Sequence, residues 1–449
     1  MKTAMGLDRR ALIGALAAAP LAASCGRRRD ERTVRVLHIE TNRDVLALWQ
    51  AAAARFGQRH DGARVEFRVM EPRAFQSRRA TLMQSDGRPH LFYSWGGASV
   101  DSLRAAGLLE DIASRVDPAT LTALMPRAVA AYRREGALYG LPYLATQIGL
   151  IANRAVLDAA GVELESLQGW DGFLQALPRL MRSGHAPLAV GGMDGWPLTL
   201  ILTQMALNQG GVAGIEAALR DVDGGFAAPA MLQAAQQFSD LAAAGPFQAG
   251  YLSAKAQSAM QFFVKGGAGL MMHGSWFYRQ AAALTGRPPS EMAQRFPFIG
   301  FPANAGRPAT NDVLQGQLNG WLVSRGAPQL AVDFLQELVG EQTQAALARE
   351  GHIIPSNLAA RAALTHPELV AAAERLDAAK SIQLAWDGLL GANGGPTAND
   401  TAVRLASGKV SAPEAMATIR RGWQVELRAD QLDGRYAGAI ADLVGRSPA

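Results

Sequence analysis

The chain has 449 residues, 49% of them hydrophobic and 18% charged, which is enough apolar material for two or three packed domains. Its net charge of +5 comes from scattered arginines rather than a basic stripe with interleaved aromatics, which argues against a nucleic-acid partner. A single cysteine, Cys25, rules out an intrachain disulfide.

The chain opens on an export segment. Lys2, Arg9 and Arg10 precede an apolar run of small residues over 11–24. That run is too short to cross about 30 Å of hydrocarbon as a helix. It leads into Leu21-Ala22-Ala23-Ser24-Cys25-Gly26, which resembles a bacterial lipobox and makes Cys25 the candidate lipidation site. Ala22 stands where that motif prefers Leu, Val or Ile. Asp8-Arg9-Arg10-Ala11-Leu12 resembles a twin-arginine signal, with Asp8 in place of the usual Ser or Thr. The expectation is a signal peptide over 1–25 and a polar tether over 26–32. The mature protein is then exported, periplasmic or outer-surface, and held to the membrane by a lipid.

Folding begins at Thr33. Residues 34–39 alternate like a strand, and 44–58 read as a helix with Val45, Leu48, Trp49 and Phe56 on one apolar face. Residues 64–70 alternate again, 74–85 read as a helix, and 89–93 form a strand that runs into Ser94-Trp95-Gly96-Gly97. A helix over 100–109 follows. This order predicts an α/β fold with mainly parallel sheets and helices on both faces. Further strands are predicted over 146–153, 187–192, 296–301 and 318–323. Helices are predicted over 155–160, 171–181, 199–208, 216–220, 229–244, 328–339, 341–350, 366–380, 397–407 and 412–440.

Residues 261–278, QFFVKGGAGLMMHGSWFY, carry the most pointed signal. The glycine-bounded apolar run 268–272 reads as a buried strand that ends at His273-Gly274-Ser275-Trp276. Ligands of open α/β sheets sit beyond the carboxyl ends of strands, so Trp276 is a candidate contact. The competing role is a Trp that caps the core under a loop.

The landmarks, taken in order, resemble the family 1 extracellular solute-binding proteins of bacterial ABC transporters, the group that includes the maltose-binding protein. They are 89–97 with Ala106-Gly107-Leu108-Leu109-Glu110, Tyr139-Gly140-Leu141-Pro142-Tyr143 with 149–153, and 187–192 with Trp196-Pro197. Residues 261–278 and 331–335 with 351–355 complete the set. His90 and His273 depart from the pattern. The resemblance implies a two-lobe type II periplasmic-binding fold with a ligand cleft between the lobes. It implies crossings near 143–149, 309–320 and 351–355. One lobe is then 33–143 with 317–351, and the other 144–316 with 352–449. It also implies a monomer that needs no cofactor and hands a carbohydrate to ABC permease subunits.

A sugar shows an apolar C–H face and a rim of hydroxyls, so its site needs aromatic plates and polar partners. The candidate plates are Trp276, Trp386, Trp196, Trp95 and Trp321; the candidate polar residues are Asp194, Asn319, Gln147, Asn42, Glu40 and His352. In the resemblance, the positions near Trp276 and Trp386 carry the stacking rings. Each Trp could instead be core, and Asp194-Gly195 and Asn319-Gly320 are also ordinary turn pairs. Trp49 and Trp170 read as structural. A polyol or similar polar solute is the nearest alternative ligand. An envelope glycan-processing enzyme is the alternative from another class, although no hydrolase, zinc or phosphate-loop motif occurs.

Overall fold

The alternating stretch after Arg32 forms β1 (Thr33–His38). The stripe Val45, Trp49, Ala52 and Phe56 buries one face of α1 (Arg43–Arg59), and Asn42 starts that helix by accepting from the amides of Asp44 and Val45. β2 (Arg64–Val69), α2 (Pro72–Met83), β3 (Leu91–Ser94) and α3 (Ala98–Ala105) follow. Then come β4 (Gly140–Ala152), α4 (Trp170–Arg182), β5 (Ala186–Ala189), α5 (Trp196–Leu219) and α6 (Pro229–Ala243). The two helices expected within α5 are one helical run, broken at Gly211 with φ 60°. α7 (Ala256–Val264), β6 (Ala268–Gly274), α8 (Phe277–Thr285) and β7 (Phe298–Gly300) lead to β8 (Val313–Val323). The last elements are α9 (Gln329–Val339), α10 (Glu341–Arg349), β9 (Ile354–Pro355), α11 (Pro367–Ala378) and β10 (Ser381–Leu384). α12 (Trp386–Leu389), α13 (Gly391–Ala406) and α14 (Ala412–Ala429) close the sequence of elements. This computed structural model describes residues 32–85, 87–304 and 313–429. The export segment, Cys25 and the tether up to residue 31 lie outside the described residues, as does the expected helix beyond 429.

β4 belongs to both lobes. Through Gln147 it pairs antiparallel with β8, and β3, β1 and β2 extend the sheet beyond β8. From Ile148 onward it pairs antiparallel with β6, which carries β5 in parallel. The outer strands β2, β1 and β3 are parallel, as the βαβ order predicts. The crossing strands add antiparallel pairs, because β4 leaves the first lobe in the direction opposite to that in which β8 enters it.

The segment after 351, assigned from sequence to the second lobe, begins against the first. Ile354 and Pro355 pair with Ala145 and Leu144, and Asn357 bridges to Leu124. β10 then pairs with the start of β8, and α13 and α14 pack on α5 and α6 of the second lobe. Hydrophobic pattern alone could not place this return, since a two-residue strand carries no period.

The first lobe's core centres on Trp49. Its indole N–H donates to the Tyr143 hydroxyl at 2.7 Å, and its ring meets Trp321 edge-on at 5.3 Å. His90 is buried and ties β3 to β1. Its Nε2 lies 2.8 Å from Arg35 Nη2, and its Nδ1 accepts from the Arg35 amide at 3.3 Å. Trp170 packs on Phe173 and Phe301.

Candidate ligand cleft

The strand exits of the two lobes meet. Gly97, after β3, lies against Gly388 in α12 so closely that a Cβ on Gly97 would come 2.7 Å from the Gly388 carbonyl oxygen. Glu40, after β1, meets Arg279 of α8. The expected site residues fall into three groups around these meetings.

The aromatic group lies mainly on the second lobe. Trp196 and Trp276 are half-buried, with ring centroids 6.3 Å apart. Both rest on His273, at 5.8 Å and 4.9 Å. The imidazole is buried, and its Nδ1 donates to the Gly274 carbonyl at 3.2 Å. Burial pushes its pKa down to about 4, so it is neutral at pH 7. Residue 274 must be glycine for Trp276 to fold back, since a Cβ there would lie 1.6 Å from the indole. On the first lobe Trp95 is half-buried, edge-on to Tyr93 at 5.5 Å and to Phe75 at 5.6 Å.

The polar group lies where the lobes join. Glu40 Oε1 accepts from the amides of Thr41 and Asn42 at 3.0 and 2.8 Å, and its Oε2 accepts from Arg279 Nη1 at 2.7 Å. Burial opposes this charge, but Arg279 and the two amides outweigh it and hold the carboxyl below its usual range. Tyr93 lies in the field of both charges and beside Asn319. The Asn319 Oδ1 and the Arg279 Nε are buried with no partner. His352 Nε2 lies 3.1 Å from Glu350, and its buried Nδ1 has no partner. Burial lowers its pKa, and the Arg279 charge reaches it too. The structure thus brings Glu40, Asn319 and His352 together, with Arg279 and Tyr93, which sequence reasoning missed. Arg279 carried no signal, because a helical arginine ordinarily reads as a solvated charge.

The remaining expected residues have partners of their own. Gln147 Oε1 accepts from Arg375 Nε at 2.8 Å, and its carbonyl accepts from the Ser275 amide at 2.8 Å. Asp194 Oδ2 accepts from the Ala256 amide at 2.7 Å and so holds the start of α7. Asn42 caps α1. Trp321 and Trp386 are 0% exposed, which differs from the plate position expected of them. Trp321 points at the helix-covered face beside Trp49, and Trp386 meets Phe226 edge-on at 5.2 Å within the second lobe. Next to it, Asp387 was also missed. Its Oδ1 is buried without a partner, and burial pushes its pKa up to about 6. Among the described residues no group of His, Cys, Asp or Glu could hold a metal ion. Among the same residues, no helix is long and apolar enough to cross a membrane.

Two lobes that share crossing strands, with half-buried indoles and a polar seam between them, define a hinged ligand receptor. The chain belongs to the bacterial extracellular solute-binding proteins, whose family profile matches residues 51–378. No curated protein matches it significantly. Solved structures share the fold. One comes from a study of xylan utilization by the thermophilic bacterium Caldanaerobius polysaccharolyticus; it is 20% identical with a TM-score of 0.78, and the match covers 87% of this chain and 99% of that one. A chitin oligosaccharide binding protein is 20% identical with a TM-score of 0.76, covering 89% and 99%. The GacH receptor of Streptomyces glaucescens, solved without ligand and with acarbose, is 17% identical with a TM-score of 0.70, covering 88% and 98%.

Proposed function

We propose that this protein captures a mono- or oligosaccharide between its lobes and delivers it unchanged to the permease of an ABC importer. The observation that carries this reading is the pair of half-buried indoles, Trp196 and Trp276, on one neutral imidazole, with Trp276 three residues before Arg279 of the unsatisfied polar seam. That combination matches the two-sided chemistry of a sugar. The names of the structural relatives, which mention xylan, chitin oligosaccharide and acarbose, point the same way. Ligand draws the lobes together about the crossing in β4. In this reading the chain works as a monomer, is anchored through lipidated Cys25, and carries no catalytic step. Glycoside hydrolysis would need two cooperating carboxyls; here Glu40 is bound up with Arg279 and two amides.

A thermal-shift screen with xylobiose, N,N′-diacetylchitobiose, maltotriose and galactose tests this. At 100 times its dissociation constant a true ligand stabilises the protein by about 2.7 kcal/mol. Chromatography should return the sugar intact. No shift with any sugar, or a shortened product, overturns the proposal.

A further inference from the structure

We infer that Arg279 is a ligand-contacting residue, and that with Asn319 it reads sugar hydroxyls at the lobe junction. This rests on the carbohydrate reading above and deepens it. Arg279 and Glu40 come from opposite lobes and meet at 2.7 Å, with side chains only 16% and 14% exposed. The contact uses one guanidinium nitrogen, Nη1, and leaves the Nε–H buried without an acceptor. Glu40 is itself fixed by two amides, so it holds the guanidinium in one place. On the same seam Asn319, 5% exposed and beside Tyr93, leaves its Oδ1 buried without a donor. The seam therefore offers one unused donor and one unused acceptor, both already desolvated.

Buried polar atoms of this kind are costly unless something fills them. A hydroxyl group fills either one, since it both donates and accepts. A carboxylate or phosphate does not suit the seam: it can accept from Arg279 but cannot donate to Asn319, and the Glu40 carboxylate stands beside it. The ligand class is therefore an uncharged polyhydroxy sugar, with uronic acids and sugar phosphates disfavoured.

The test is a cycle between protein and ligand by calorimetry. Wild type, Arg279→Met and Asn319→Ala are titrated with xylobiose, N,N′-diacetylchitobiose, maltotriose and galactose. Monodeoxy versions of whichever sugar binds are then titrated, with circular dichroism and melting to confirm folding. We expect Arg279→Met, which keeps the chain length and has no N–H at the Nε position, to weaken binding about tenfold or more. One monodeoxy sugar should show that loss on wild type and almost none on Arg279→Met. Arg279→Lys, which keeps the charge and loses the Nε–H, should behave like the Met variant. Additive losses across the whole monodeoxy series, or full affinity in Arg279→Lys, overturn the inference and leave the receptor reading standing. Failure of wild type to bind any of the sugars removes the receptor reading, and the inference with it.

Discussion

The ring of His273 lies 4.9 Å from that of Trp276, tilted by 50°, and the same imidazole meets Trp196 edge-on at 5.8 Å. One buried, neutral side chain thus sets the pose of two candidate plates. Aromatic pairs contribute about 0.5–1.5 kcal/mol each beyond burial. His273→Ala should therefore weaken sugar binding roughly tenfold, although it removes neither indole. His273→Phe should restore most of the loss, as calorimetry with the bound sugar will show.

Acid should destabilise the protein before its exposed carboxylates titrate. His38, His273 and His366 are each pushed by burial from 6.5 to about 4. Between those values the unfolded chain binds protons that the folded chain refuses, so stability is present above pH 6.5 and is lost as pH falls toward 4. Each ring contributes at most about 3 kcal/mol. Melting midpoints recorded from pH 7 to pH 4 should fall steadily, and a flat profile would contradict the buried neutral rings.

Asp387 acts in the opposite direction. Burial pushes its folded pKa up from the ordinary 3.8 to about 6. The folded state thus holds the proton more tightly, and this group costs stability as pH rises from about 4 through 6. Asp387→Asn should raise the melting midpoint of the sugar-free protein at pH 7 and leave it nearly unchanged at pH 4. An equal effect at both values would remove the ionised carboxylate as the cause.

Gly97 has φ +69° and sits against Gly388 and Leu389. Gly97→Ala adds a Cβ that would lie 2.7 Å from the Gly388 carbonyl oxygen, in a backbone region (ψ −161°) essentially reserved for glycine, at a cost of about 1–3 kcal/mol. The substitution should hold the lobes apart at this contact and weaken sugar binding about tenfold. Small-angle scattering should report a larger radius of gyration in the presence of sugar than for wild type.

Much of this arrangement was legible in the sequence. Alternation at Val34, Val36 and Val65, Phe67, and the stripe of Val45, Trp49 and Phe56, announced the first strands and helix. Glycine turns after apolar runs marked Trp95 and Trp276. Trp386, which the resemblance placed among the plates, is core, and the ring that covers it, Phe226, lies far away in sequence. β4 begins six residues before the strand expected at 146 because Pro142 interrupts its apolar run; β8 tolerates Pro142 through the register shift beside Gly320. Arg279 and Asp387 gain their character from partners and burial, which no local pattern encodes.

The most direct test of the account is calorimetric titration of wild type, Trp196→Ala and Trp276→Ala with the sugar that binds best. Truncating a central aromatic anchor commonly costs about 2 kcal/mol or more, roughly thirtyfold in affinity. The account predicts saturable binding at one site in wild type and a loss of that size in each variant, with circular dichroism unchanged. Wild-type affinity retained in both folded variants would contradict it.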